Sequence, residues 1–175
     1  MDWDLYTDWR IQPNAQQNTF SDLYSDLTMN PRSWLTFQSQ LRYDLQDGLW
    51  RMSSTTMTLH PYKSWRWTIG QTYLLTDNSP SPTALGPGES VFTSSFQFRL
   101  NENWGLRMLH YYDAGSGALR EQDYAIFRDL RSWTAALTFR FRNGPGAPED
   151  FTVAISFWLK AYPQTGRGPE AGLYR

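Results

Sequence analysis

Few residues in this chain are equipped for chemistry. His60 and His110 are its only histidines and it has no cysteine, which removes a thiolate nucleophile, a disulfide framework and a thiolate zinc site, and leaves little room for a histidine-rich metal centre. A hydrolytic site needs a base oriented by a carboxylate. His110 has Asp113 nearby in sequence, but it shares parity with Trp104, Leu106 and Met108, so an interfacial histidine is the better reading. His60 precedes Pro61 in a short connection and reads as a turn residue. Glu121 and Asp123 fall on one face of one strand and read as solvated charge opposite arginines. The Gly-Pro-Gly runs at 86–88 and 144–146 lack the strand-to-helix context of a phosphate loop and read as loop punctuation. The expectation is therefore no active site, no enzyme, no metal site and no cofactor.

Arginine is the other chemically capable type. Arg42, Arg66, Arg99, Arg107 and Arg140 all fall on the polar side of their strands. Their guanidinium forks suit either lining a polar passage or contacting an anionic amphiphile. The plainer reading pairs them with Asp44, Glu121 and Asp123.

What positions these residues is a pattern of strict alternation in blocks of about ten residues separated by turn chemistry. Ten strands are expected, at about 2–11, 19–29, 33–44, 49–59, 65–76, 90–100, 104–112, 119–129, 132–142 and 151–160. No segment reads as a helix. In the six clearest strands one face runs from Leu35 to Tyr43, Trp65 to Leu75, Phe92 to Leu100, Trp104 to Tyr112, Trp133 to Phe141 and Phe151 to Leu159, taking alternate residues. Every position on it except Ser39, Gln71, Ser94 and His110 is apolar. The opposite face is mostly Thr, Ser, Gln, Gly and Arg. A one-residue slip would exchange the faces, so register is well specified. The second and fourth strands are weaker, and the facing of the eighth is ambiguous. All ten prolines fall outside the expected strands, as they should when proline cannot donate to a ladder.

Connections alternate between long or Gly/Pro-rich segments (12–18, 77–89, 113–118 and 143–150) and short ones (30–32, 60–64, 101–103 and 130–131), with 45–48 the one short segment on the long side. That is the expected meander of an outer-membrane barrel with an even strand number and both termini at the short-turn, periplasmic end.

Composition separates this reading from others. The 175 residues, at a net charge of −1, fit one domain and lack the charge excess of nucleic-acid binding. No window reaches the roughly 20 apolar residues of a membrane helix, and residues 1–10 carry no secretory signal pattern. Nine Trp, ten Tyr and ten Phe stand beside only two lysines, Lys63 and Lys160, so the usual solvating residues are missing. A soluble barrel or sandwich also alternates, with its apolar face inward. Three features favour lipid: the polar face suits a hydrated lumen, the bulky rings would overfill a small barrel, and Trp3, Trp9, Tyr43, Trp50, Trp65, Tyr73, Trp104, Tyr112 and Trp133 sit where interfacial girdles form.

The turn Phe127-Arg128-Asp129-Leu130-Arg131-Ser132-Trp133, the alternating strand TAALTFRF that follows, and a last strand ending Phe157-Trp158-Leu159-Lys160-Ala161-Tyr162-Pro163 resemble the C-terminal end of LptD, the lipopolysaccharide-assembly protein of the outer membrane (organic solvent tolerance protein). Arg128, Asp129, Leu130 and Trp133 are the most specific part. The resemblance implies a barrel of about 26 strands that releases lipopolysaccharide sideways through a seam between its first and last strands, with 151–160 matching the last. It implies lipopolysaccharide and membrane lipids as partners and leaves open a lipoprotein plug. Ten strands are fewer than the family's, the periplasmic jelly-roll domain has no counterpart, and Ser132 stands where relatives often carry Cys. The chain then reads as either a C-terminal part of a longer protein or a reduced relative that closes on ten strands.

Taken together, the expectation is an all-β, antiparallel up-and-down transmembrane β-barrel over 1–163 with a C-terminal tail at 164–175. It would sit in the outer membrane and serve lipopolysaccharide assembly. The alternatives are a small pore or structural barrel without a dedicated substrate, and an outer-membrane hydrolase.

Overall fold

The computed structural model describes residues 1–12, 19–79, 84–144 and 149–160, none of them helical. Ten strands form one sheet: β1 (Asp2–Tyr6), β2 (Leu23–Arg32), β3 (Leu35–Asp44), β4 (Leu49–Tyr62), β5 (Trp65–Leu74), β6 (Glu89–Arg99), β7 (Trp104–Asp113), β8 (Ala118–Asp129), β9 (Trp133–Arg142) and β10 (Asp150–Leu159). Each strand pairs only with its neighbours in the chain, and β1 and β10 are the edges. All pairings are antiparallel. The meander follows the sequence pattern. The expected closure does not: the sheet is not closed into a barrel.

Directly opposite residues share a face of the sheet, so the register can be followed from edge to edge. One row runs Asp2, Thr28, Gln38, Thr56, Gly70, Thr93, Tyr111, Glu121, Arg142 and Asp150. On the other side a row runs Leu35, Leu59, Trp67, Phe96, Met108, Tyr124, Phe139 and Val153. Polar and apolar residues are thus segregated across the whole sheet.

Burial shows which side the sheet encloses. Asp44, Val91, Arg107, Asp123, Ala125, Phe127, Thr134 and Ala136 are buried and lie on the polar side by register, whereas on the apolar side Ser39 alone is buried among the described residues. The sheet curls toward its polar face. On the apolar side Ile155 and Phe157 are 66% and 65% exposed, and no large side chain anywhere in the described residues is fully buried. Among the described residues the buried apolar cluster is Ala125, Phe127 and Ala136, with Trp158 packed against it. Phe96, Leu137 and Ile155 do not meet in a dry centre. Leu137 and Ile155 are cross-strand partners on the outward face.

The expected first strand, 2–11, is shorter in the structure. It stops at Tyr6, and Trp9 makes only an isolated bridge to Phe20. The cause is local: the Ser21 hydroxyl accepts the Asp8 amide at 2.8 Å, and Thr7 Oγ1 donates to the Ser21 carbonyl at 3.1 Å. Such side-chain bonds take the place of ladder bonds.

Two prolines expected outside strands lie within them. Pro31 is the penultimate residue of β2 and Pro61 that of β4, each where the register shifts, between Met29 and Arg32 and between Leu59 and Tyr62. A bulge is one of the few strand positions that tolerates a missing donor.

Candidate functional site

The polar face carries the charged groups, and at its long-loop end they are organised by two copies of one local device. Asp44 accepts the amides of Gln46 and Asp47 at 2.8 and 3.0 Å, and Asp113 accepts those of Gly115 and Ser116 at 2.8 and 3.2 Å. Each turn ends on a glycine with positive φ, Gly48 at 67° and Gly117 at 69°, where a side chain would be strained. Each is followed by a β-bulge, opposite Arg42–Tyr43 and opposite Tyr111–Tyr112. The residues left without a ladder partner by these shifts are Arg51 and Arg120. A bulge re-aims a side chain, and here both arginines turn back to their own turn's aspartate. Arg51 reaches Asp44 at 3.5 Å, and Arg120 Nε donates to Asp113 at 2.9 Å.

Around these devices lie two networks. Arg51 also bonds Asp77 and approaches Asp22 at 3.7 Å, while Arg42 bonds Asp22. Hydrogen bonds from the Ser79 hydroxyl and amide, together with the Arg51 charge, hold the Asp77 carboxyl below its ordinary range. Further along, Arg140 grips Asp123 with both arms, Nε at 2.8 Å and Nη2 at 2.9 Å, and approaches Glu121 at 3.4 Å. Arg142 shares Glu121 at 3.4 Å. A cavity of about 900 Å³ at this end is lined by Glu89, Tyr111, Asp113, Arg120 and Arg142, among others, and the Tyr111 hydroxyl donates to Glu89.

The five arginines expected on the polar face therefore divide. Arg42 is held by Asp22 rather than Asp44, whose arginine is Arg51. Arg140 takes both Asp123 and Glu121. Arg107 is 9% exposed, with its guanidinium carbon 5.9 Å from the centre of the Phe127 ring. Arg66 and Arg99 have no ion pair among the described residues. They line a second cavity, of about 560 Å³, at the short-turn end.

The family-like turn splits across the sheet. Arg128 lies on the apolar side, its guanidinium carbon 4.8 Å from the centre of the Trp104 ring. Asp129 turns to the polar side, accepting the Thr134 hydroxyl at 3.1 Å and pairing with Lys160 at 2.7 Å, which ties the end of β10 to the β8–β9 turn. The Leu130 amide donates to the Trp133 carbonyl at 2.8 Å, closing the turn, and Trp133 faces Leu159 on the outward side. The remainder of the resembling stretch, Ala161 to Pro163, and the tail 164–175 lie outside the described residues, as does part of the Gly-Pro-Gly run at 144–146.

His110 stands on the apolar face opposite Ser94 and Gln122, with a ring nitrogen 3.0 Å from the Tyr124 hydroxyl. Asp113 is on the other face, held by Arg120. The two are not brought together. Among the described residues no three His, Asp or Glu side chains are grouped to hold a metal ion. Arg51, Asp77 and Arg120 were not marked by the sequence, because period-two counting has no place for a residue at a bulge or in a long loop; Asp22 falls in the expected strand 19–29 but precedes β2 in the structure.

No family model matches the chain, and no curated protein matches its sequence.

Proposed function

We propose that this chain is a segment of outer-membrane β-barrel wall with a non-enzymatic role in lipopolysaccharide assembly. The observation that carries the membrane reading is the uncovered apolar face, which runs across the sheet while the enclosed side holds salt bridges and hydroxyls. A soluble sheet that left Ile155, Phe157, Phe151 and Trp67 in water would forgo the main driving force of folding. In a bilayer the same residues are solvated by acyl chains. Aromatic side chains near strand ends, among them Trp104 and Trp133, fit the interfacial girdles of such a wall.

The lipopolysaccharide part rests on the resemblance of 127–133 and the last two strands to the LptD family. The free edge of β10 is compatible with a seam or with further strands beyond it. A photo-crosslinking residue placed at Thr152, Ala154 or Ser156 in cells is expected to trap lipopolysaccharide, whereas one at Asp26 on β2 is not. Capture of phospholipid alone at all positions, together with steady conductance of the purified chain in planar bilayers, would replace this reading with that of a small pore.

A further inference from the structure

Nearly every arginine on the polar face is matched by a carboxylate except at the short-turn end. Arg42, Arg51, Arg120, Arg140 and Arg142 all have acidic partners. Arg66 and Arg99 have none among the described residues, although both line the cavity of about 560 Å³. The register places them together: Arg66 is opposite Gln97, Gln97 is opposite Arg107, and Arg99 follows Gln97 by one repeat on the same face. Opposite partners stand about 5 Å apart and diagonal ones about 7–8 Å. One small ligand above Gln97 is within reach of both free guanidinium groups.

The surroundings favour an anion. Arg99 is opposite Gly105, over which the Phe127 side chain packs, so no polar side chain stands directly across from Arg99. Of the two carboxylates lining the cavity, Asp129 is already engaged by Lys160 and Thr134, and Glu102 sits in the turn. His60, on the same lining, has a buried Nδ1 with no hydrogen-bond partner. Unlike Lys, a planar guanidinium presents a fixed fork of donors, and two of them around a neutral amide match a tetrahedral oxyanion.

We propose that Arg66 and Arg99, with Gln97 between them, form a binding site for a phosphate-class oxyanion, free or carried on a lipid headgroup. The site goes beyond the wall reading but rests on it in one respect, that the polar face is hydrated.

Calorimetric titration of the protein, refolded in dodecyl maltoside, tests it with two probes at fixed ionic strength: inorganic phosphate and dihexanoyl phosphatidic acid. Both are expected to bind saturably if the anion alone is recognised, and only phosphatidic acid if the headgroup's lipid is needed. R66Q/R99Q is expected to bind the productive probe at least about tenfold more weakly, with R32Q, which removes a charge elsewhere, unchanged. R66K/R99K keeps the charge, loses the fork and guards against misfolding of the first variant. It is expected to fall between wild type and R66Q/R99Q. Absence of saturable heat with either probe, or equal binding by wild type and both double variants, would overturn the site and leave the wall reading intact. Should the chain prove folded without detergent, the wall reading fails and the same titration in buffer still decides the site.

Discussion

Replacing Ile155 with arginine is expected to reduce folding stability in lipid vesicles by about 2–4 kcal/mol. The side chain is 66% exposed and its opposite neighbour is Leu137, near the middle of both strands. If water were the solvent on this side, exchanging so exposed a residue for arginine would change stability by no more than about 0.5 kcal/mol. The size of the effect therefore reports what the apolar face touches, because the contacts within the protein are nearly the same in either case. Urea titration of the vesicle-folded wild type and I155R, followed by tryptophan fluorescence, measures it. An unchanged midpoint would mean that Ile155 does not face acyl chains.

Removal of Arg140 is expected to have an effect of similar size for the opposite reason. Asp123 is 3% exposed and both of its oxygens accept from the Arg140 fork, at 2.8 and 2.9 Å. Arg140→Met leaves that carboxylate buried without its fork, a change that costs about 3–5 kcal/mol for fully buried pairs. About 3 kcal/mol is expected here, because the Arg140 side chain is 32% exposed and the enclosed face admits water. The double variant R140M/D123L removes both charges and is expected to recover most of the loss, since an apolar replacement has no charge to desolvate. A double variant as unstable as R140M, by the same urea titration, would show that the packing of the arginine stem and not the ion pair accounts for the loss.

Alternation made the ten strands legible because both sides of the sheet are chemically uniform, and β5, β6, β7 and β9 keep one parity from end to end. The places it misled share a cause. In β8, Leu119 faces out opposite Tyr112 and Glu121 faces in opposite Tyr111. Odd positions thus change sides at Arg120, and no single parity describes the strand. In β4, Trp50 opposes Tyr43 on the apolar side while Met52 opposes Arg42 on the polar side, with Arg51 as the extra residue. This adds to the weak contrast of Ser53 to Thr56. The charge networks followed the same rule. Arg140 with Glu121 and Asp123 was visible because all three lie in regular ladders. Arg51 with Asp44 was not, because the bulge that aims it is set by the turn at 45–48. Arg66 and Arg99 were marked by their face, but only the structure shows that neither has an ion pair among the described residues.

If the sheet is a membrane wall, its apolar side is solvated by acyl chains. Quenching by lipids brominated near the middle of their chains tests it most directly, since Trp67 lies on that side at 39% exposure. A variant retaining Trp67 as its only tryptophan, folded into such vesicles, is expected to lose most of its fluorescence and to resist aqueous acrylamide. Full fluorescence in brominated lipid with efficient acrylamide quenching would put this side of the sheet in water.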